Sequence, residues 1–135
     1  MYIEAHPQEC TAEELHFHLL ALVEELISPQ RRARWRLNLI EKPSRAKEHF
    51  RDWIPFDDRF CRELTGREGW PQHIEELTGP TPGVYFQPGQ EPVKLRASEA
   101  ASLAAETCAD SLLSIIPGRL VVFFNHESQI WLCKK

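Results

Sequence analysis

No two cysteines of this 135-residue chain lie close together in the sequence. The four thiols belong to Cys10, Cys61, Cys108 and Cys133. A C-x-x-C pair that would open a zinc site is therefore missing. His16 and His18 do not replace it, because residues two apart on a helix point about 200° apart and cannot share one ion. We predict no metal, no cofactor, and mostly free thiols.

The sequence also lacks an apolar run near the ~20 residues that span a bilayer. The segment from Met1 to Cys10 has neither the basic start nor the apolar stretch of a secretory signal. These two absences predict a cytoplasmic protein with no membrane partner. A reducing compartment agrees with the wide spacing of the cysteines.

Sequence motifs for nucleotide binding and acyl transfer are missing as well. There is no G-x-G-x-x-G, no P-loop and no G-x-S-x-G elbow. The G-x-x-G tetrad at 66–69 has the spacing of a KH loop, but Glu68 within it would repel a phosphate backbone. The adjacent acids Asp57 and Asp58 suit the first turn of a helix better than an acid/base pair. We assign no catalytic residue.

The first half of the chain contains clear signals for helices. A capping box at Thr11 and Glu14 predicts a helix that ends before Pro29. Its apolar stripe comprises Leu15, Leu19, Leu22, Val23 and Leu26. Ser28 and Pro29 predict a second helix. The residues that this second helix would bury are Ala33, Leu37 and Ile40. Further short helices are predicted at 43–54, 57–64 and 71–77.

The proline- and glycine-rich stretch from Gly79 to Gly83 separates these helices from a region of strands. Beyond it we predict strands at 84–86 and 93–95, a helix at 98–115, and strands at 120–124 and 130–133. The run from Leu120 to Phe124 is apolar on both faces, which is typical of a central strand. The prediction is a single α+β domain over 1–135. In it, N-terminal helices (about 1–78) pack in two layers with a small, mainly antiparallel β-β-α-β-β sheet (about 83–135).

The net charge of -4 is unevenly distributed along the chain. Residues 1–30 contain six acids and no Lys or Arg, whereas residues 31–62 contain ten basic residues and five acids. An acidic chain with one basic segment suits a localised contact better than the wrapping of nucleic acid.

Within this basic segment, Trp35 lies opposite the predicted buried stripe of its helix. Such a helix is either buried on both sides or exposes the indole. An exposed Trp35 surrounded by Arg32, Arg36 and Leu39 would have the composition of an interface hot spot. Phe17, opposite the stripe of the first helix, would extend the same patch. We therefore predict a partner-binding site formed by Trp35, Arg32, Arg36 and Leu39. The open alternative is that Trp35 packs inside the protein.

The function predicted from the sequence is a protein-binding or regulatory module without catalysis, of the adaptor or immunity-like kind. One alternative is a nucleic-acid-binding accessory protein. Its contacts would be Arg31, Arg34, Arg45, Lys47 and Arg51. A second alternative is a small enzyme, which would need a deep pocket lined by His49, Asp57 or Cys61. A homo-oligomer is also compatible with the sequence, because the last strand could pair with another copy if it lay at a sheet edge.

Overall fold

A computed structural model describes residues 6–46 and 56–135. Within these ranges the protein has four α-helices and a seven-stranded antiparallel sheet, which confirms the α+β class. Helices α1 to α4 comprise Ala12–Glu25, Arg32–Arg36, Pro71–Thr78 and Ala97–Thr107. Strands β1 to β7 comprise Gln8–Glu9, Cys61–Leu64, Gly83–Phe86, Val93–Leu95, Ser111–Ile116, Leu120–Phe124 and Ile130–Lys134. Their order across the sheet is β1-β4-β3-β5-β6-β7-β2.

The sheet carries helices on both faces, so the predicted two-layer β-β-α-β-β arrangement is wrong. Strand β6 shows why, because successive side chains alternate between the faces. Val121 and Phe123 pack in a core with α1 and α2. Val122 and Phe124 pack in a second core with α3 and α4. The predicted central position of this strand is confirmed, and it requires a helical layer on each side.

Two of the predicted helices are partly or wholly strands. Residues 61–64 form β2, which pairs antiparallel with β7 instead of continuing a helix from Asp57. The predicted helix at 98–115 ends at Thr107, because Cys108 adopts a left-handed backbone conformation (φ 51°). After a short turn, Ser111–Ile116 form β5, which pairs with β3 and β6. Strand β7 consequently lies between β6 and β2, away from the sheet edge.

Helix α1 follows its sequence signals. The Thr11 side chain accepts a hydrogen bond from the Glu14 amide at 3.1 Å, and a Glu14 carboxylate oxygen accepts one from the Thr11 amide at 3.4 Å. This capping box satisfies two amides that the first turn leaves free. Four residues of the predicted stripe are buried, namely Leu19, Leu22, Val23 and Leu26. The helix thereby lays its apolar face on the sheet.

The second helical segment buries a different set of residues from the predicted one. Leu37 and Ile40 are half-buried, and Ile40 packs against the core, but Ala33 is not buried. It consists of a 3-10 turn at Pro29–Arg31, α2, and a π-helical turn at Leu37–Glu41. Ala33 is exposed, whereas Trp35, Asn38 and Leu39 are buried. Ser28 occupies the predicted N-cap position and Pro29 the first helical position, but the Ser28 hydroxyl donates to the carbonyl of Phe56 and makes no capping hydrogen bond. Large side chains, not the small Ala33, thus determine which face is packed.

The other predicted elements are largely confirmed. Helix α3 covers the predicted 71–77, β3 and β4 form the expected hairpin, and β7 returns after a turn at 125–129. The chain from Pro43 to Arg45 forms a 3-10 turn. The rest of the helix predicted at 43–54 falls mainly on residues 47–55, outside the described residues.

Candidate interaction surface

The predicted patch around Trp35 is not on the surface. Trp35 is 4% exposed and Leu39 is 2% exposed, and both belong to the core beneath α1. Arg32 donates through Nε to a backbone carbonyl just after α1 at 3.1 Å. Arg36 forms an ion pair with Glu24 of α1 at 3.3 Å. Internal packing of Trp35, the open alternative, is therefore correct, and an exposed Trp35 anchor is wrong.

The residues of the nucleic-acid alternative are only partly described. Arg34 and Arg45 are exposed, and Arg31 is half-buried. Lys47 and Arg51 lie outside the described residues. A nucleic-acid contact by this segment stays a prediction.

A different tryptophan is exposed. Trp70 is 54% exposed at the start of α3, and Leu77 at the other end of the same helix is 38% exposed. The His73 ring lies beside the Trp70 indole at the start of α3, and Leu77 is the exposed apolar residue in the last turn of that helix. We call these three residues together with Arg67 the Trp70 surface.

The local sequence explains why the indole of Trp70 projects into solvent. Gly66 takes a left-handed conformation (φ 59°) and opens a 3-10 turn at Gly66–Gly69. The Trp70 amide closes this turn by donating to the carbonyl of Arg67 at 3.0 Å. Pro71 then restricts Trp70 to extended backbone (φ -73°, ψ 142°), so the residue stays outside the helix. Helix α3 is anchored instead by Ile74, which is 0% exposed.

Aromatic and basic groups contact each other on the Trp70 surface. The guanidinium carbon of Arg67 lies 5.6 Å from the Trp70 ring centroid, within range of a cation–π interaction. The His73 ring lies 6.0 Å from the indole. Among the described residues, no carboxylate lies within ion-pair distance of Arg67. The cation–π contact with Trp70 is therefore the interaction that the structure shows for the Arg67 charge.

The acids near the Trp70 surface already have partners. Arg62 donates to both carboxylate oxygens of Glu68 at 3.1 Å, which holds the pKa of Glu68 below its ordinary value. A carboxylate oxygen of Glu76 lies 3.2 Å from Nδ1 of His73. Exposed ion pairs of this kind contribute little to stability, because solvent screens their charges. Their main effect is to fix acids beside the exposed indole.

A shallow cavity of about 350 Å³ adjoins the Leu77 end of the surface. Its lining includes Phe60, Cys61, Arg62, Leu77, Leu132 and Lys134. The cavity lies where α3 passes β2 and β7. Half of the lining residues are charged, namely Asp58, Arg59, Arg62 and Lys134, so this recess beside α3 is of mixed polarity.

Another cavity, of about 480 Å³, is lined in part by Cys108, Asp110 and His126. These residue types can serve as nucleophile, orienting acid and base. Asp110 accepts from the His126 amide at 2.9 Å and contacts Nδ1 of its ring at 3.0 Å. The Cys108 thiol, however, donates to the carbonyl of Ala105 in its own helix at 3.6 Å. Among the described residues, no hydrogen bond joins this thiol to the His126 ring.

The enzyme alternative requires a deep pocket lined by His49, Asp57 or Cys61, and the described part of the chain does not show one. His49 lies outside the described residues. Asp57 is 5% exposed and does not cap a helix; its carboxylate accepts from the amide and the side chain of Arg59, with the shortest contact at 2.7 Å. Cys61 lies on β2 and lines the shallow cavity. The Asp57–Arg59 pair is a structural feature of the turn before β2.

This pair makes stability depend on pH. Hydrogen bonds from the Arg59 side chain, then from its amide, lower the pKa of Asp57 from 3.8 to about 2. The charged form is favoured in the folded protein, so its stabilising effect is present above pH 3.8 and is lost as the pH falls toward 2. We expect Asp57→Asn to be less stable than wild type at pH 7, with the difference disappearing in that window. Urea denaturation at pH 7 to 2 measures it.

The exposed neighbour Asp58 supplies the control for this experiment. Asp58→Asn is expected to follow the wild-type pH dependence. An Asp57→Asn variant with the wild-type slope between pH 4 and 2 would contradict the assignment.

Comparison of the chain with protein-family models, with curated proteins and with solved structures finds no match in any of the three. Over 6–46 and 56–135, no three His, Cys, Asp or Glu side chains are grouped so as to hold a metal ion. No helix in the same ranges is long and apolar enough to cross a membrane.

Sequence reasoning did not identify Trp70, because its neighbours resemble core positions. Trp70, Ile74 and Leu77 have the spacing of one apolar stripe, so a helical wheel does not separate the buried residue from the exposed ones. The available signal was Pro71, which excludes the preceding residue from the helix. Combined with the glycines at 66 and 69, it indicates that Trp70 belongs to a turn.

Proposed function

We propose that the protein is a non-catalytic protein-binding module that presents the Trp70 surface to a protein partner. The observation that carries this proposal is the indole of Trp70, 54% exposed, with the Arg67 guanidinium over its ring. Trp and Arg are enriched among the few residues that dominate binding energy at interfaces. Covering such an indole removes a large apolar area from water, which favours association.

The surface also suggests the chemistry of the partner. A complementary site would combine an apolar pocket for the indole with a carboxylate for Arg67, whose charge has no partner among the described acids. Glu68 lies in the turn just before Trp70, and Glu76 pairs with His73, whose ring lies near the indole. These nearby acids would disfavour a phosphate backbone. The arrangement thus favours a protein over nucleic acid, in line with an adaptor or an immunity-like inhibitor.

The Trp70→Ala variant tests the proposal. The tagged full chain and the variant are incubated with lysate of the native cells at about 0.1 M salt, with and without nuclease, and bound proteins are quantified. We expect the variant to lose at least about 30-fold in affinity for the captured protein, since truncating a hot spot costs about 2 kcal/mol or more. Its unfolding free energy should change by no more than about 0.5 kcal/mol, as for other exposed positions.

Phe17→Ala is the matched control, because Phe17 is an exposed aromatic residue (63%) on α1, which packs on the other face of the sheet. It should capture the same protein as wild type. A partner retained equally by Trp70→Ala would show that the Trp70 surface does not bind it. Capture that disappears with nuclease would instead favour the segment containing Arg31, Arg34 and Arg45.

A further inference from the structure

Strands β2 and β7 place two cysteines opposite each other. Their register pairs Cys61 with Cys133. The amide of Lys134 donates to the carbonyl of Phe60 at 2.9 Å, which makes Phe60 and Lys134 a hydrogen-bonded pair. Since such pairs alternate along antiparallel strands, Cys61 and Cys133 form a non-hydrogen-bonded pair. Cα atoms in these pairs are about 4.5 Å apart and their side chains are closest, within the range that a disulfide bridges.

The two thiols differ in access to solvent. Cys133 is 0% exposed, whereas Cys61 is half-buried and lines the shallow cavity beside β2. Burial, with a further contribution from the adjacent Cys61 thiol, raises the pKa of Cys133 well above its ordinary value. A reagent in solution therefore reaches Cys61 first. Both side chains lie on the same face of the sheet, in or against the core with α1.

We propose that Cys61 and Cys133 are the site of a reversible cross-strand disulfide, formed by exchange with a low-molecular-weight disulfide such as oxidised glutathione. The Cys61 thiolate attacks one sulfur of the reagent, so that a mixed disulfide forms and one glutathione thiolate leaves. Cys133 then attacks the Cys61 sulfur, the bond from that sulfur to glutathione breaks, and the proton of Cys133 passes to the glutathione thiolate that leaves. Two protein thiols are oxidised and one glutathione disulfide is reduced to two glutathione molecules.

The bond would fasten an edge strand that has few other attachments. Strand β2 lies at the end of the sheet order and pairs with one neighbour, β7. A link between Cys61 and Cys133 closes a loop through most of the chain, which restricts the unfolded state more than a short loop does. This inference concerns β2 and β7 only and is independent of the proposed binding function.

The test uses the full folded chain with Cys10 and Cys108 replaced by serine, since Cys108 is exposed and Cys10 half-buried. This protein is equilibrated in glutathione buffers of increasing oxidised fraction, quenched with acid, alkylated in denaturant and mapped by mass spectrometry. We expect a cross-linked peptide pair containing Cys61 and Cys133, lighter by two hydrogen atoms, which disappears on return to reduced glutathione. A stable glutathione adduct on Cys61 without the link, or two unmodified thiols at every buffer composition, would overturn the proposal.

Cys61→Ser provides the second variant, because replacement of the fully buried Cys133 endangers the fold. In this variant Cys133 should remain unmodified under native conditions and react only after unfolding. Reaction of Cys133 in native Cys61→Ser at the wild-type rate would overturn the assignment of Cys61 as the attacking thiol.

Discussion

Trp35→Ala is expected to lower the free energy of unfolding by about 3–5 kcal/mol, the range for removing a large aromatic side chain from a core. The indole is 4% exposed and belongs to the same cluster as Leu22, Leu26 and Leu39. Its removal would leave a cavity between α1 and α2 that neighbouring side chains fill only in part. Urea denaturation at pH 7, followed by circular dichroism, measures the change as a lower midpoint with an unchanged slope.

Arg34→Ala is the control for this substitution, because Arg34 precedes Trp35 in the same helix and is exposed. Its unfolding free energy should stay within about 0.5 kcal/mol of wild type. Trp35→Ala could instead keep wild-type stability and no longer capture a partner. That result would mean that Trp35 lies on the surface, and it would contradict the packing described above.

Trp35 shows the limit of predicting buried positions in this chain from helix periodicity. The phase of the second helix was predicted from Ala33, Leu37 and Ile40, which placed Trp35 outside. A change from α-helix to a π-helical turn at Leu37–Glu41 alters the angular spacing after Arg36, so a constant 100° per residue does not describe the segment. Residue size gave the better indication, since Trp35 and Leu39 together bury far more apolar area than Ala33.

The missed strands were not visible in local sequence, because long-range contacts define them. Strand β2 is four residues long with charged Arg62 and Glu63 at its centre, and it exists by pairing with β7 near the end of the chain. Strand β5 follows α4 without an intervening Gly or Pro. The turn between them is held by Asp110, which accepts from the His126 amide at 2.9 Å in a distant turn. No periodicity in residues 98–115 encodes that contact.

The number of layers, in contrast, could have been predicted from the sequence. Leu120 to Phe124 is apolar at every position, and a strand with two apolar faces must be covered on both sides. The amphipathic stripe of α1 supplies one cover. The alanine-rich α4 supplies the other, since its small side chains allow close packing on the sheet. A two-layer arrangement would have left one face of β6 in water.

Gly83→Ala is expected to lower the free energy of unfolding by about 3 kcal/mol, the upper part of the range for overpacking a core. Gly83 begins β3 where β5 has a bulge between Ser114 and Ile116. An added Cβ would lie 2.6 Å from the Ser114 carbonyl oxygen and 2.9 Å from Cα of Ile115. These are backbone atoms of the neighbouring strand, so they cannot rotate aside as a side chain does. The bulge therefore requires a glycine opposite it.

Gly69→Ala separates this steric effect from the general effect of replacing glycine. The nearest atom to its added Cβ is the Cδ1 methyl of Ile130 at 3.5 Å, an ordinary contact with a side chain that can adjust. Because alanine restricts the unfolded chain, we expect this variant to be as stable as wild type or more stable by up to about 1 kcal/mol. Urea denaturation of both variants, with amide hydrogen exchange along β3 and β5, should show loss of protection in Gly83→Ala alone. Equal stability changes at the two positions would mean that β3 and β5 can separate to admit a methyl group.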